Sequence, residues 1–215
     1  MVPIGDNDRG IRSVPVVTIG LVALNIIMFL VELSEGDPFI LRWAFTPSRF
    51  MADPVGQFPT LFTSMFMHAG LMHIGGNMLY LWIFGNNVED AFGRLQYLLF
   101  YLVCGLAATF AQLAFSLGSS VPNLGASGAI AGVLGSYLVL FPNQQVNVLA
   151  GNRVVQVSAF VMLVGWILLQ LVGQVGAITE SASGGVAYMA HIGGFVAGVV
   201  LTMILSGRRL PLPTG

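Results

Sequence analysis

The chain has 215 residues, the length of one ordinary domain, and 56% of them are hydrophobic while only 8% are charged. Soluble domains carry about 25% charged residues, so this composition excludes an ordinary water-soluble globule and indicates a polytopic membrane protein. A formal net charge of −1 and a single cysteine, Cys104, argue against a nucleic-acid partner, a disulfide framework and a cysteine-cluster metal site.

Apolar runs close to 20 residues long predict helices that cross a bilayer core about 30 Å thick. Six spans are expected, which predicts an all-α, six-transmembrane-helix bundle with these approximate ranges: 15–33, 71–84, 95–117, 127–140, 154–172 and 186–205. We expect residues 14–206 to form one domain, flanked by cytoplasmic tails at residues 1–13 and 207–215.

The connection between the first two spans, residues 34–59, mixes charged residues and prolines with bulky apolar side chains. A structureless loop of this length is uncommon in a compact domain. We therefore expect it to lie partly in the membrane interface and to form short helices of its own.

The fourth span is too short to reach both faces of a bilayer. It begins at Ser127 and ends at Leu140, before Pro142, so it covers only about 21 Å at 1.5 Å per residue. Its first residue is expected to lie below the membrane surface. The loop that leads into it must then descend into the protein, where other helices or a wet cavity shield its backbone.

The arginines predict the orientation, because the sequence contains no lysine. With six spans both termini share one side of the membrane, and that side receives six arginines against two: Arg9, Arg12, Arg94, Arg153, Arg208 and Arg209 against Arg42 and Arg49. An excess of positive charge marks the cytoplasmic side. We therefore expect a plasma-membrane protein with both termini in the cytoplasm.

The three histidines, His68, His73 and His191, lie in apolar spans or at their edges. Ionisable side chains are costly at membrane depth, so each histidine is a candidate for function. His73 and Asn77 are four residues apart, which places them on one helical face. Hydrogen bonding between packed helices is the alternative explanation for both residues.

Two rows of small residues predict that the fourth and sixth spans approach closely. The rows are Gly128, Gly132 and Ser136 in the fourth span and Ala190, Gly194 and Gly198 in the sixth. Ser127 starts one helix below the surface, and His191 lies about 10 Å along a helix that enters from the same side. The two side chains can therefore meet, although packing alone would also account for the rows.

Ser127 and His191 together could form a nucleophile and its base, because a serine hydroxyl reacts only when a neighbouring base takes its proton. The backbone N–H of Ser127, with Asn77 and His73, could stabilise an oxyanion. The lack of lysine excludes a Ser-Lys dyad, and no Asp or Glu is assigned to an apolar span. The sequence also lacks a His-Glu-x-x-His motif for zinc, so a serine–histidine dyad in an outward-facing polar cavity remains.

Three motifs in this order resemble the rhomboid family of intramembrane serine proteases. They are His68-x4-His73-x3-Asn77, Gly125-Ala126-Ser127-Gly128 and Ala190-His191-x2-Gly194-x3-Gly198. The resemblance implies that Ser127 is the nucleophile and His191 the base, with Asn77 and His73 helping to bind the oxyanion. It also implies that the partners are single-span membrane proteins, cut within or beside the lipid bilayer without ATP, metal or another cofactor.

Further positions bear on the resemblance. Glu89 matches a family position that looks structural, and His68 matches one near the active-site cavity. Many relatives carry a Trp-Arg pair where this chain has Pro59-Thr60, and several carry a tyrosine that stacks on the base where this chain has Ala131.

We expect residues 173–185 to act as a mobile lid and the fifth span to be the lateral gate for substrate. Two other functions stay open. A non-catalytic rhomboid-like protein that binds client transmembrane helices is the first, although such proteins usually lack the serine or histidine. A solute or proton transporter is the second, and the absence of an inverted repeat argues against it.

Overall fold

The computed structural model describes residues 2–6, 11–179 and 187–209, and most of these residues are helical. The helices are α1 Val16–Glu35, α2 Asp37–Trp43, α3 Pro47–Ala52, α4 Thr60–Thr63, α5 Leu71–Phe92, α6 Arg94–Phe115, α7 Ser127–Leu140, α8 Ala159–Thr179 and α9 Tyr188–Arg209. Within the described ranges, α1, α6, α8 and α9 are long and apolar enough to cross a membrane. The chain is thus a multi-pass membrane protein. Membrane insertion of α5 and α7, which would give six spans, stays a prediction.

A three-stranded antiparallel sheet corrects the expectation of an all-α fold. Its strands are β1 Val2–Asp6, β2 Gln145–Ala150 and β3 Arg153–Ser158, in the order β1-β2-β3. Val146 and Val148 alternate with more exposed residues and are buried in the same apolar core as the helices, which is the pattern of a strand with one face on the core. Residues 2–6 are therefore part of the folded unit and do not form a free tail.

Helix α7 lies at the centre of the bundle, in contact with α5, α6 and α9. All residues from Gly128 to Tyr137 are buried. A Cβ atom at Gly194 of α9 would overlap the carbonyl oxygen of Gly128, and one at Gly198 would overlap the carbonyl oxygen of Gly132. The two rows of small residues therefore bring the backbones of α7 and α9 into direct contact, as their spacing predicts.

The sheet and the start of α7 lie at opposite ends of that helix, since β2 follows shortly after Leu140. Phe84, Tyr137 and Phe141 form a layer of aromatic rings near the sheet end, packed edge to face or at a tilt. The ring centroids of Phe84 and Tyr137 are 4.9 Å apart, and those of Tyr137 and Phe141 are 5.1 Å apart. We call these three side chains the aromatic layer. Phe84 and Tyr137 in this layer are fully buried.

Two adjacent acidic residues of α5 hold the beginning of α1. The Glu89 carboxylate accepts hydrogen bonds from the backbone N–H groups of Val17 and Thr18 at 2.9 and 2.7 Å, and Asp90 accepts from the backbone N–H and hydroxyl of Ser13. The first N–H groups of a helix lack partners within it, and a negative charge there is favourable. Glu89 therefore fixes α1 to α5, in agreement with the structural role that the resemblance implied.

Glu32 lies within the first predicted span, residues 15–33, so the expectation that no acidic side chain lies in a span is wrong. It belongs to the last helical turns of α1, is 3% exposed, and accepts a hydrogen bond from the backbone N–H of His68 at 3.0 Å. A buried carboxylate is tolerated only when it is hydrogen-bonded. Glu32 thereby ties the end of α1 to the segment that precedes α5.

The connection between α1 and α5 forms the short helices α2, α3 and α4, as expected for residues 34–59 and their continuation. It is attached to the loop that precedes α7. Phe45 and Asn123 exchange both backbone hydrogen bonds, at 3.1 and 2.7 Å, and the N–H of Ser48 donates to the carbonyl of Ser119 at 3.0 Å. The loop that leads to Ser127 is therefore braced from outside the helical bundle.

The boundaries of the fifth span differ from the prediction. Residues 154–158 belong to β3, and α8 continues to Thr179, so residues 173–179 of the predicted lid are helical. The rest of the predicted lid, residues 180–185, lies outside the described part of the chain. The helix of the sixth predicted span is α9, which begins at Tyr188, two residues later than expected.

Candidate active site

Ser127 is the first residue of α7, and a braced turn places it there. Gly125 has a φ of 133°, a conformation that favours glycine, and its N–H donates to the carbonyl of Ser64 at 2.9 Å. The N–H groups in the first turn of α7 have no partner further back in the helix. The backbone at Ser127 can therefore donate hydrogen bonds to a group that lies beside its hydroxyl.

His191 of α9 lies within hydrogen-bonding distance of this serine. Its Nε2 atom is 2.8 Å from Ser127 Oγ. The close packing of α7 against α9 makes this distance possible, because Gly128 and Gly194 replace side chains that would separate the helices. The structure therefore brings together the two residues that the sequence proposes as nucleophile and base.

Two residues of α8 hold the His191 ring, and the sequence analysis missed both. Gln170 Oε1 lies 2.8 Å from His191 Nδ1, and the Trp166 ring lies 5.7 Å from the imidazole, centroid to centroid. Trp166 thus supplies a ring contact on the base in a chain that has Ala131 in place of the family tyrosine. For Gln170 the available signal was an amide side chain within an apolar run, which is costly at membrane depth unless it is hydrogen-bonded.

His73 faces Ser127 across the turn at Gly125. A Cβ atom at Gly125 would lie 2.9 Å from His73 Nε2 and 3.6 Å from Ser127 Oγ, so the missing side chain leaves a space between the two polar groups. The N–H of Ala69 donates to His73 Nδ1 at 3.3 Å. A neutral imidazole has one N–H, so this hydrogen bond leaves the proton on Nε2, aimed at that space.

Asn77 lies one turn after His73 on α5 and is 8% exposed. Its Nδ2 atom is buried and has no hydrogen-bond partner among the described residues. An amide group buried in this way is costly unless it gains a partner. Asn77 and His73 both line the same cavity, so each is a candidate donor to a group bound there.

The cavity has a volume of about 580 Å³ and includes all four predicted site residues in its wall. The remaining wall is mainly apolar and comes from α5, the loop before α7, α7 itself and α8. Its lining includes Met72, Gly76, Tyr80, Ile130, Leu134 and Trp166. A mostly apolar cleft with a few converging polar groups is typical of a binding site.

His68 lies beside the site and outside the pair formed by Ser127 and His191. It is 1% exposed, and its ring centroid is 5.1 Å from that of His73. It lies behind His73 and is not among the residues that line the cavity, so it is near the cavity, as the resemblance implied, without forming its wall. Among the described residues no group of three or more His, Cys, Asp or Glu side chains could hold a metal ion.

Comparison with protein families gives a match that covers most of the chain. The family model described as the Rhomboid domain matches residues 55–208. The matched region includes the four predicted site residues and begins after α1, α2 and α3.

Three curated proteins show how far the similarity extends. Rhomboid protease GluP of Bacillus subtilis is 34% identical over 128 residues, which cover 58% of this chain and 24% of GluP. Rhomboid protein 1, mitochondrial, of Saccharomyces cerevisiae is 27% identical over 195 residues, which cover 86% of this chain and 52% of the yeast protein. The putative rhomboid protease YdcA of Bacillus subtilis is 26% identical over 202 residues, which cover 93% of this chain and 92% of YdcA. The chain thus corresponds to part of the first two proteins and to nearly all of YdcA.

Proposed function

Because the chain belongs to the rhomboid family, we propose that it is an intramembrane serine endopeptidase that cuts single-span membrane proteins within or beside their transmembrane segments. One observation carries the proposal. Ser127 Oγ lies 2.8 Å from His191 Nε2 at the wall of a cavity of about 580 Å³. A hydroxyl and a base at this distance are the minimum that nucleophilic catalysis requires.

The proposed reaction has two stages. Ser127 Oγ attacks the carbonyl carbon of the scissile peptide bond while its proton passes to His191 Nε2. The tetrahedral intermediate then collapses, the C–N bond breaks, and the proton on His191 goes to the departing amine. Water next attacks the acyl ester with His191 as base, which releases the carboxyl product and restores the serine.

The developing negative charge would lie in the space between Gly125, Ser127 and the donors of α5. Ser127, His73 and Asn77 all line the cavity that contains this space. The proposed donors are the backbone N–H of Ser127, the Nε2–H of His73 and the Nδ2–H of Asn77. Fixed donors stabilise an oxyanion strongly because they need no reorganisation when the charge forms.

The gate for substrate is proposed to be α8. In the apolar window of this helix only 11% of residues are buried, against 22% to 33% for α1, α6 and α9. A weakly buried helix at the side of the cavity can separate from the bundle at the lowest cost. The substrate helix would unwind beside it, because a helical peptide bond is shielded by its own turn.

The proposed location is the plasma membrane, with both termini in the cytoplasm and the cavity opening to the other side. The arginine distribution supports this orientation. The sheet, which contains β1 near the amino terminus and Arg153, would then lie on the cytoplasmic side.

Labelling with a fluorophosphonate tests the proposal directly. The purified chain is expected to form a covalent adduct at Ser127, because the reagent phosphonylates a serine that a base activates. Labelling should be lost in Ser127→Ala and in His191→Ala. If the wild-type chain stays unlabelled, or if His191→Ala labels as fast as wild type, the chain is not a serine hydrolase. A non-catalytic client-binding protein would then be the better assignment.

Removing the side-chain amide of Asn77 is expected to slow cleavage without preventing it. Loss of one oxyanion donor typically costs about 100- to 1,000-fold in kcat. The measurement compares kcat of Asn77→Ala and wild type on a single-span substrate. Asn86→Ala is the matched control, since Asn86 lies on the same helix, away from the cavity. An unchanged kcat for Asn77→Ala would exclude Asn77 as an oxyanion donor.

A further inference from the structure

The hydrogen bond between α8 and the base has a consequence for catalysis. We infer that Gln170 is a positioning residue that holds His191 with its proton on Nδ1, so that Nε2 is free to accept the Ser127 proton. The inference rests on the proposed function, because it assigns the tautomer that a general base at position 191 would need.

The chemistry of the two side chains gives the direction of the hydrogen bond. The amide oxygen of glutamine can only accept, and it lies 2.8 Å from His191 Nδ1, so Nδ1 carries the proton. A neutral imidazole has only one N–H, which leaves a lone pair on Nε2, 2.8 Å from Ser127 Oγ. The serine hydroxyl must then donate to the ring, as it does when a base removes its proton.

The geometry shows that α8 restrains the ring in two directions. Gln170 fixes its edge through the hydrogen bond, and Trp166, one turn earlier on the same helix, contacts it at a centroid distance of 5.7 Å. Three helices therefore contribute one residue each to a line of hydrogen bonds: Gln170 of α8, His191 of α9 and Ser127 of α7.

Gln170 would also act after the proton has moved. When His191 becomes an imidazolium, its Nδ1–H bears more positive charge and bonds more strongly to the amide oxygen. This stabilises the charged ring without a buried carboxylate, whose desolvation in a membrane protein would be expensive. The amide is thus a neutral counterpart of the acid that orients the histidine in soluble serine proteases.

The two possible orientations of the amide make opposite predictions. If the glutamine NH2 group donated to Nδ1, the ring proton would lie on Nε2 and His191 could not accept the serine proton. A glutamate at position 170 can only accept when ionised. Gln170→Glu therefore retains the proposed hydrogen bond, whereas Gln170→Leu removes it at nearly constant volume.

The experiment uses the full chain with Gln170→Leu, Gln170→Glu and the control Gln174→Leu, which places the same change one turn further along α8. Cleavage of a single-span substrate should lose about 10- to 100-fold in kcat in Gln170→Leu, with KM changed less than about threefold. Gln170→Glu and Gln174→Leu should stay within about tenfold of wild type. Thermal unfolding of each variant is measured in the same preparation.

The tautomer itself is read by nitrogen NMR of histidine-labelled protein at mildly alkaline pH, with His191 assigned by loss of its signals in His191→Ala. The wild type should carry the proton on Nδ1, and Gln170→Leu should shift a measurable fraction to Nε2. A proton on Nε2 in the wild type, or an Nδ1 proton unaffected by Gln170→Leu, would overturn the inference. So would an inactive Gln170→Glu beside an active Gln170→Leu. This readout needs no turnover, so it decides the role of Gln170 even if the wild-type chain cleaves nothing.

Discussion

Replacing Ser127 with alanine is expected to lower kcat/KM for a single-span substrate by at least about 10,000-fold, because the reaction loses its nucleophile. The change removes one oxygen atom at a cavity wall, so packing around α7 stays almost the same. Thermal unfolding of Ser127→Ala should therefore match wild type. The measurement is cleavage of a purified substrate in reconstituted membranes, with product detected by mass.

Ser136→Ala is the matched control for this experiment. Ser136 lies on the same helix, is fully buried, and is remote from His191. The Ser136→Ala variant should cleave the substrate at a rate close to that of the wild type. Equal cleavage by Ser127→Ala and wild type would exclude the proposed mechanism. Loss of cleavage in both variants would show that the substitutions disturb α7, and the effect could not be assigned to the Ser127 hydroxyl.

Replacing Gly198 with alanine is expected to destabilise the protein by about 3 kcal/mol or more. The new methyl group would overlap the carbonyl oxygen of Gly132 on α7, and this atom belongs to the backbone of a buried helix. Overpacking usually costs about 1–3 kcal/mol even where a side chain can yield. Here the helices themselves must separate, which would also move His191 away from Ser127.

Equilibrium unfolding of Gly198→Ala in detergent micelles measures this effect. Gly20→Ala is the matched control, because a Cβ atom at Gly20 of α1 meets nothing within 4 Å. Alanine is the better helix former, so the control should be neutral or stabilised by up to about 1 kcal/mol. If both variants unfold alike, direct backbone contact between α7 and α9 is not a determinant of stability.

Local patterns account for the parts of the fold that the sequence predicts. The helix from Ser127 to Leu140 has the predicted bounds, since a loop rich in small polar residues and Pro142 delimit it. The contact between α7 and α9 follows from glycines at a spacing of four. The meeting of Ser127 with His191 follows in turn, because close packing and equal depth leave few other arrangements.

The missed features depend on partners that are distant in the sequence. The apolar residues of β3 look like the start of a membrane span, and pairing with β2 shows that they form a strand. The local signal for a hairpin was the Gly151-Asn152 pair between the two strands, where Gly151 adopts a φ of 62°. Asp90 and Ser13 are 77 positions apart. No periodicity links Gln170 to His191, so the third residue of the hydrogen-bonded line could not be identified before the helices were placed.

The aromatic layer bears on a problem that any enzyme using solvent inside a bilayer must solve. An aqueous cleft reaching from one leaflet toward the other would leak ions if it continued through the molecule. Tyr137 lies ten residues beyond Ser127, about 15 Å along α7, and together with Phe84 it has no exposed surface. On the far side of this layer lies β2, whose Val146 and Val148 are also buried. The aromatic layer thus lies between the cavity and the sheet, so the proposed hydrolysis would draw its water from one side of the membrane and leave the electrochemical gradient intact.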